Sequence, residues 1–492
     1  MYSSDPPGDH RPVIAIIGGG ASGTLTAIHL LQLAARRGSG GVRIALIDRL
    51  GRHGLGQAYS STDPAHLLNS PAATMSALTG DPGHLLRWAR ADGIMRADGA
   101  TQDGFLPRPA YGRYLCQTLA AAQLAAQPAA TVRLITSQVV RISGGAPRHP
   151  LRLHLAADGH IDADAAVLAT GNLPPAPPCP VPASPRYIGD PWAPGALRGA
   201  GDGSPVVVLG TGLTTVDVAI ALAGASPRTV VHAVSRHGLL PQAHRPGPAA
   251  AGIGWLPVLA DDTGPVRLGE LMWQVRAAVA DRPGYWQEII DSLRPHLPRL
   301  WRRLPLADQR LFLRHVARYW EVHRHRMPPQ TARQVTGLRC TGRLRVHAGR
   351  VTAVTEGKGG LRVHLDQGGT VTELAAGWVI NATGAHPDVT RAADPLLRGL
   401  FGQGLIRPDP LRLGIDATPG GAVLGASGRP SSTIFTLGPP LRGLWYETTA
   451  IPEIRDQAAA LALRLTDTSQ ALSSRPRASR PPPLDARPSS AA

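Results

Sequence analysis

Gly18, Gly20 and Gly23 stand in the spacing G-x-G-x-x-G, between an apolar stretch from Val13 to Ile17 and a helix-like run from Leu25 to Leu33. Residues of this kind at this spacing suit a diphosphate. Gly18 permits a tight turn, Gly20 lets backbone come close to the ligand, and Gly23 lets helix and strand pack together. The diphosphate would then meet the free amides and positive dipole end of the helix, with Ser22 among its contacts. The hexapeptide alone is a weak signal. It gains weight from the next strand, Arg43 to Ile47, which ends in Asp48, an acid placed to accept the ribose hydroxyls of an adenosine.

The pattern recurs near the middle of the chain. Val206 to Leu209 runs into Gly210, Thr211, Gly212, and a helix-like stretch from Val216 to Leu222 follows, with Thr215 in place of the third glycine. The next strand, Val230 to Val234, ends in Ser235 and Arg236 rather than an acid. A guanidinium there suits the 2′-phosphate of NADPH, although NADH stays possible. Each unit later closes on a related phrase, Ala169-Thr170-Gly171 in the first and Ala382-Thr383-Gly384 in the second. Gly171 and Gly384 therefore join the candidate cofactor contacts.

Further candidates are basic. His244 and Arg245 lie in a loop rich in Pro and Gly after the second unit's ribose strand, and His323 to Arg326 form a basic run before Pro328 and Pro329. They would bind an anionic substrate or cofactor phosphates; otherwise they are a solvated helix end favoured by the dipole. No acid–base pair and no metal cluster stands out, so no metal is expected. Cys116, Cys179 and Cys340 are far apart, which argues against a redox dithiol.

The elements that must position these residues follow from length and pattern. A chain of 492 residues with 43% apolar and 17% charged residues predicts a globular protein of at least two domains. The net charge of +17 comes almost wholly from dispersed arginine without a reading motif, so nucleic acid is not expected as a partner. No apolar stretch reaches the roughly 20 residues of a membrane span, and the polar N-terminus lacks a secretory pattern. A cytoplasmic location without a membrane partner is the expectation; oligomeric state is silent. The fold class predicted is α/β, with two Rossmann-like dinucleotide-binding domains of the three-layer ββα type, the second nested in the first. Residues 12–200 and 337–466 are expected to form the first domain and 201–336 the second, with a helical insertion at about 267–326. Pro191 to Ser204 reads as the outward linker and Thr331 to Leu338 as the return. Residues 1–11 and the Ser/Pro/Arg-rich tail, 467–492, read as disordered.

Five phrases carry a family resemblance: Gly54-Leu55-Gly56-Gln57-Ala58-Tyr59; His66-Leu67-Leu68-Asn69-Ser70-Pro71 with Met75; Arg108 to Tyr114; Trp320 to Arg326; and Leu437-Gly438-Pro439-Pro440 onward to Thr449. Together with the two glycine turns they resemble flavin monooxygenases, and more closely the FAD-dependent urate hydroxylase and aspartate N-monooxygenase family. The resemblance implies FAD at the first turn and NADPH at the second. It also implies dioxygen as co-substrate, captured as a C4a-peroxide that oxygenates a small polar, anionic, nitrogen-containing molecule such as urate or an amino acid. The rival readings are a flavoprotein reductase passing electrons to a quinone or other acceptor without oxygen insertion, and a binding or sensor protein that carries a nucleotide but turns nothing over. Gln57 and Asn69 lie in a polar loop from which their amides would hydrogen-bond flavin edges; otherwise they cap the loop. Gly438 precedes a helix whose N-terminus would face the flavin pyrimidine. Many relatives carry Asp directly after this glycine, whereas Pro439 stands here. Tyr446 joins His244 and Arg245 as a catalytic candidate.

Overall fold

The computed structural model describes residues 11–38, 41–95, 104–144, 150–245, 264–386 and 388–473. Val13–Ile17 is apolar at every position and buried at every position, as a parallel strand covered on both faces must be. It lies at the heart of a six-stranded sheet. The order is Ala422–Leu424, Pro430–Thr436, Ala165–Leu168, Val13–Ile17, Val42–Asp48, Ala130–Thr136, parallel throughout except for the first strand at the edge. Helices Ala21–Arg37, Arg108–Ala125 and Ile451–Ser473 cover one face, where Leu25, Ile28, Tyr111, Leu115, Ile454 and Leu461 meet Ile14, Ile16 and Val167. A three-stranded antiparallel layer, Val139–Gly144, Leu151–Leu155 and His160–Ala163, covers the other with the helix Pro395–Gly402.

The second unit repeats this plan. Its five parallel strands are ordered Leu344–Ala348, Val231–Ser235, Val206–Leu209, Trp378–Asn381, Tyr187–Ile188. Helix Leu213–Ala225 lies on one face, and an antiparallel layer on the other sends Leu361, Val363 and Leu365 inward from one strand, Gly360–Asp366. The period of two in that strand is what a half-solvated layer requires. Both units are therefore helix, parallel sheet and antiparallel layer, the three-layer plan expected.

Three boundaries differ from expectation. Tyr187–Ile188, Leu344–Ala348 and Trp378–Asn381 pair within the second sheet, so that unit takes in strands on both sides of the expected 201–336. Alternation in the strands after Leu344 resembled the first unit's layer, and pairing alone decides ownership. The segment Thr331 to Leu338 is no linker; it lies inside the helix Pro329–Cys340, which opens with proline at its first position. The last helix runs on to Ser473, beyond the expected start of the tail at 467, while residues 1–10 and 474–492 lie outside the described residues.

The insertion is helical from Leu268 to Arg324. Its apolar side, Leu268, Leu293, Leu300, Trp301 and Leu304, packs around Tyr446 with Leu411 and Leu413, so it rests on the C-terminal part of the first unit. No described helix is long and apolar enough to cross a membrane.

Candidate functional site

The two glycine turns superpose in their hydrogen bonding. Gly18 N–H donates to Ile47 O at 2.8 Å, and Gly210 N–H donates to Val234 O at 2.7 Å. Ala169 N–H donates to Ile17 O at 2.9 Å, and Ala382 N–H donates to Leu209 O at 2.8 Å. Gly18 (φ 113°) and Gly210 (φ 118°) both lie in the left-handed half of backbone space. A methyl on Gly18 would stand 2.2 Å from Ala169 O, and one on Gly210 would stand 2.4 Å from Ala382 O. Only glycine fits either place.

What each turn offers a ligand is a bare helix opening. Gly20 and Gly212 are the N-caps of Ala21–Arg37 and Leu213–Ala225; neither helix has a side-chain cap or an acid in its first turn. The first amides are therefore left for an outside anion, which is the arrangement that receives a diphosphate. Gly23 closes the first turn tightly, since a methyl there would stand 1.9 Å from Gly18 O. Thr215 replaces it in the second; its side chain is buried and its Oγ1 has no hydrogen-bond partner.

At the first turn several expected contacts have other duties. Asp48 Oδ1 accepts from Leu50 and Arg52 N–H at 2.9 and 3.0 Å, and Oδ2 accepts from Gly19 N–H at 3.1 Å, so the acid organises the turn it follows. The open side of Gly20 faces Gly56, whose Cα lies 3.5 Å from where a methyl would be, so the close backbone approach at Gly20 is made by the loop Gly54 to Gly56. Gln57 is exposed and donates to Asp190 at 3.2 Å. Asn69 offers its carbonyl to His244 Nε2 at 3.0 Å. Gly171 (φ 69°) has open space where a side chain would go.

Gly438 meets the first turn directly: a methyl on it would stand 2.5 Å from Ser22 Oγ. Gln457 holds this junction. Its Oε1 accepts from Gly438 N–H at 2.8 Å, its Nε2 donates to Thr448 Oγ1 at 2.7 Å, and Thr448 Oγ1 donates to Gly438 O at 3.1 Å.

The second turn opens on a cleft of about 770 Å³. Gly210, Gly212, Ser235, Arg236 and Gly384 all line it, so the expected contacts of this turn, apart from buried Thr215, are brought together. Ser235 Oγ is tied to Thr211 Oγ1 at 2.8 Å and accepts from Gly238 N–H at 3.1 Å, which leaves Arg236 exposed at the rim. Five arginines line the cleft, Arg236, Arg314, Arg318, Arg350 and Arg442, against one carboxylate, Glu321. That surplus favours a ligand carrying several negative charges.

The remaining candidates go elsewhere. His244 is largely buried beside Phe105, and burial with nearby Arg326 pushes its imidazole down to about 4. Arg245 pairs with Glu288 at 3.0 Å. Tyr446 sits in the insertion's apolar cluster, stacked on Trp301 with ring centroids 4.7 Å apart, and burial holds its phenol protonated. None of the three lines the cleft. The basic run divides: His325 lines the cleft, whereas the two arginines are taken up in ion pairs. Arg324 is buried against Glu447 at 3.1 Å and Arg326 is buried against Asp291, while burial lowers His325.

Sequence reasoning did not single out Arg314, Arg318 or Arg350, and met Glu321 and Arg442 only inside the family phrases. Positions 314, 318 and 321 recur at helical spacing in the insertion, a signal that was available. What it lacked was a reason to place that face over the second turn.

These two units, each a strand, glycine turn and helix in a three-layer sandwich, define a protein with two dinucleotide-type folds. Residues 15–173 match the model of an FAD-NAD(P)-binding family. Comparison with curated proteins finds no match. Among solved structures, ornithine hydroxylase from Pseudomonas aeruginosa is 16% identical, with TM-score 0.60, covering 93% of this chain and 99% of its own. L-lysine 6-monooxygenase from Pseudomonas syringae is 14% identical, with TM-score 0.61 and coverage of 94% and 100%. Ornithine N-hydroxylase from Kutzneria sp. 744, solved with reduced FAD, NADP⁺ and L-ornithine, is 14% identical, with TM-score 0.57 and coverage of 94% and 99%. These likenesses extend over nearly the whole chain and establish the fold.

Proposed function

We propose that this chain is an NADPH-dependent FAD monooxygenase that hydroxylates nitrogen on a small amine or amino acid. The observation that carries the proposal is the pair of bare helix openings behind Gly20 and Gly212, joined through one helix of the insertion. Ala317–Arg324 places Arg318 on the second turn and offers Glu321, Trp320 and Arg324 to the phrase that starts at Gly438. Full-length likeness to ornithine and lysine hydroxylases supports the same reading.

FAD bound at the first opening supplies oxygen-activating chemistry, with NADPH as the source of hydride. The chain's own share is placement and charge. Amides of Ala21 and Ser22 would hold the first diphosphate, and the junction of Gly438, Gln457 and Thr448 fixes the last helix beside that opening. At the second opening, amides of Leu213 and Thr214 would hold the other diphosphate, and Arg236 at the rim would take the 2′-phosphate. No described group of three His, Cys, Asp or Glu could hold a metal ion.

The test is purified protein assayed with ornithine, lysine, aspartate and urate. NADPH consumption and hydroxylated product are followed together, with and without oxygen. A yellow protein that couples NADPH use to an N-hydroxylated product supports the reading. A colourless preparation rejects it, as does NADPH oxidation indifferent to oxygen and to every compound. Anaerobic turnover with a quinone would favour the reductase.

A further inference from the structure

Arg318 reaches from the insertion onto the lip of the second glycine turn. Its Nη2 donates to Thr211 Oγ1 at 2.8 Å, to Thr211 O at 3.2 Å and to Leu239 O. Its Nη1 stands 4.0 Å from Glu321 Oε2, the outer limit of an ion pair, while Glu321 Oε1 is shared with Arg442 at 3.4 Å. Burial strips water from this guanidinium and lowers its pKa below the usual arginine value; Glu321 opposes that shift only in part, and Arg236 adds to it. A cation so placed is short of negative charge. The helix Leu213–Ala225 opens two residues after Thr211, so a diphosphate on its amides lies beside the group that already touches Thr211 O. The π-helical turn Phe312–Val316 just before it brings Leu313, Arg314 and His315 to the same cleft, and such turns recur at functional sites.

We propose that Arg318 is a clamp for the diphosphate of a nicotinamide dinucleotide, and that Glu321 is the internal anion the ligand displaces from it. The inference rests on the reading of the second cleft given above, and goes beyond it by assigning a ligand contact to the insertion rather than to the glycine motif. In this structure Glu321 holds Arg318 weakly and Arg442 in common. With ligand bound, the diphosphate takes the free edge of the guanidinium and leaves Glu321 to Arg442 alone. Occupancy of the second cleft is thereby felt by the phrase Arg442 to Glu447, on the side of the first turn.

The two residues must then act with opposite sign. Isothermal titration of NADP⁺ into the full-length protein, which needs no turnover, is the measurement. Arg318→Ala raises Kd by at least tenfold, and Arg318→Lys, which keeps charge but loses the planar fork, raises it less. Glu321→Gln removes the competitor and lowers Kd, by twofold or more. A purely structural role would weaken binding in both. The proposal is overturned if Arg318→Ala binds within twofold of the parent, or if Glu321→Gln weakens binding. Should the alanine variant fail to fold, Glu321→Gln and Arg318→Lys decide. If the parent itself binds neither NADP⁺ nor NAD⁺, the reading of the cleft fails and the clamp with it, an outcome distinct from a parent that binds and variants that do not differ.

Discussion

Arg108 Nη2 lies 2.7 Å from Asp217 Oδ2, joining a helix of the first unit to the helix that opens at the second glycine turn. The side chains are 17% and 9% exposed, and the guanidinium also donates to Leu67 O and lies over the Trp192 ring. Burial lifts the Asp217 carboxyl above its usual range, and Arg108 opposes that shift.

Removing one partner leaves a buried charge without compensation. Arg108→Ala is expected to lower unfolding stability by about 3–5 kcal/mol. The exposed pair of Arg362 and Glu373 serves as control; Arg362→Ala should cost no more than about 1 kcal/mol. Urea unfolding of the two variants is the measurement. Equal losses would show that the joint between the units is no stronger than a surface pair.

The glycine turns predict a contrast within one motif. Gly210→Ala places a methyl 2.4 Å from Ala382 O at φ 118°, whereas at Gly212 no atom lies within 4 Å of the added group. Gly210→Ala should therefore unfold more easily, by roughly 1–3 kcal/mol or more. Gly212→Ala should fold like the parent yet bind NADP⁺ at least tenfold more weakly, because the methyl takes space at the helix opening. Thermal unfolding and titration on the same preparations separate the two effects.

Tyr446 carries a buried phenolic oxygen that makes no hydrogen bond of normal geometry, its nearest polar neighbour being the Arg442 guanidinium. Tyr446→Phe removes an unsatisfied group and keeps the ring on Trp301, so stability should be unchanged or higher by about 1 kcal/mol. Tyr446→Ala should cost about 3–5 kcal/mol through the cavity left between Trp301 and Phe312. A phenylalanine variant as unstable as alanine would mean that the hydroxyl has a partner after all.

Two buried histidines set an acid limit. Burial, with Arg455 near His29 and Arg326 near His244, depresses each from 6.5 to about 4. A depressed imidazole binds fewer protons folded than unfolded, so stability falls as pH drops from 6.5 towards 4 and is fully present above 6.5. Each can contribute up to about 3 kcal/mol across that window. His244→Gln should flatten the slope of unfolding free energy against pH; an unchanged slope would rule out His244 as a contributor.

The glycine turns were legible because their chemistry is local. A positive φ at Gly18, a strand before it and a helix after it are all written within a dozen residues. The repeat at Gly210 doubled the signal, and the three-layer plan followed from it. Ownership of Leu344–Ala348 and Trp378–Asn381 was not legible, because parallel pairing joins segments more than a hundred residues apart and leaves no mark on either. The same holds for the site. Arg236 follows a strand of the motif and could be found, whereas Arg318 and Glu321 reach the cleft only because Leu300, Trp301 and Leu304 seat the insertion against Tyr446. The ion pairs of Arg324 and Arg326 were not legible, since nothing nearby in sequence announces Glu447 and Asp291 as partners.

Near the exit and return of the second unit, the chain runs beside itself. His386 N–H donates to Pro174 O at 3.4 Å, and Asn381 Nδ2 donates to Ala176 O at 3.0 Å. Both passages thus share one doorway, and Ala169-Thr170-Gly171 and Ala382-Thr383-Gly384 stand on either side of it. The same geometry makes the inner unit an exchangeable cassette: grafting a related unit between these neighbouring ends should leave the outer sheet's strand order undisturbed.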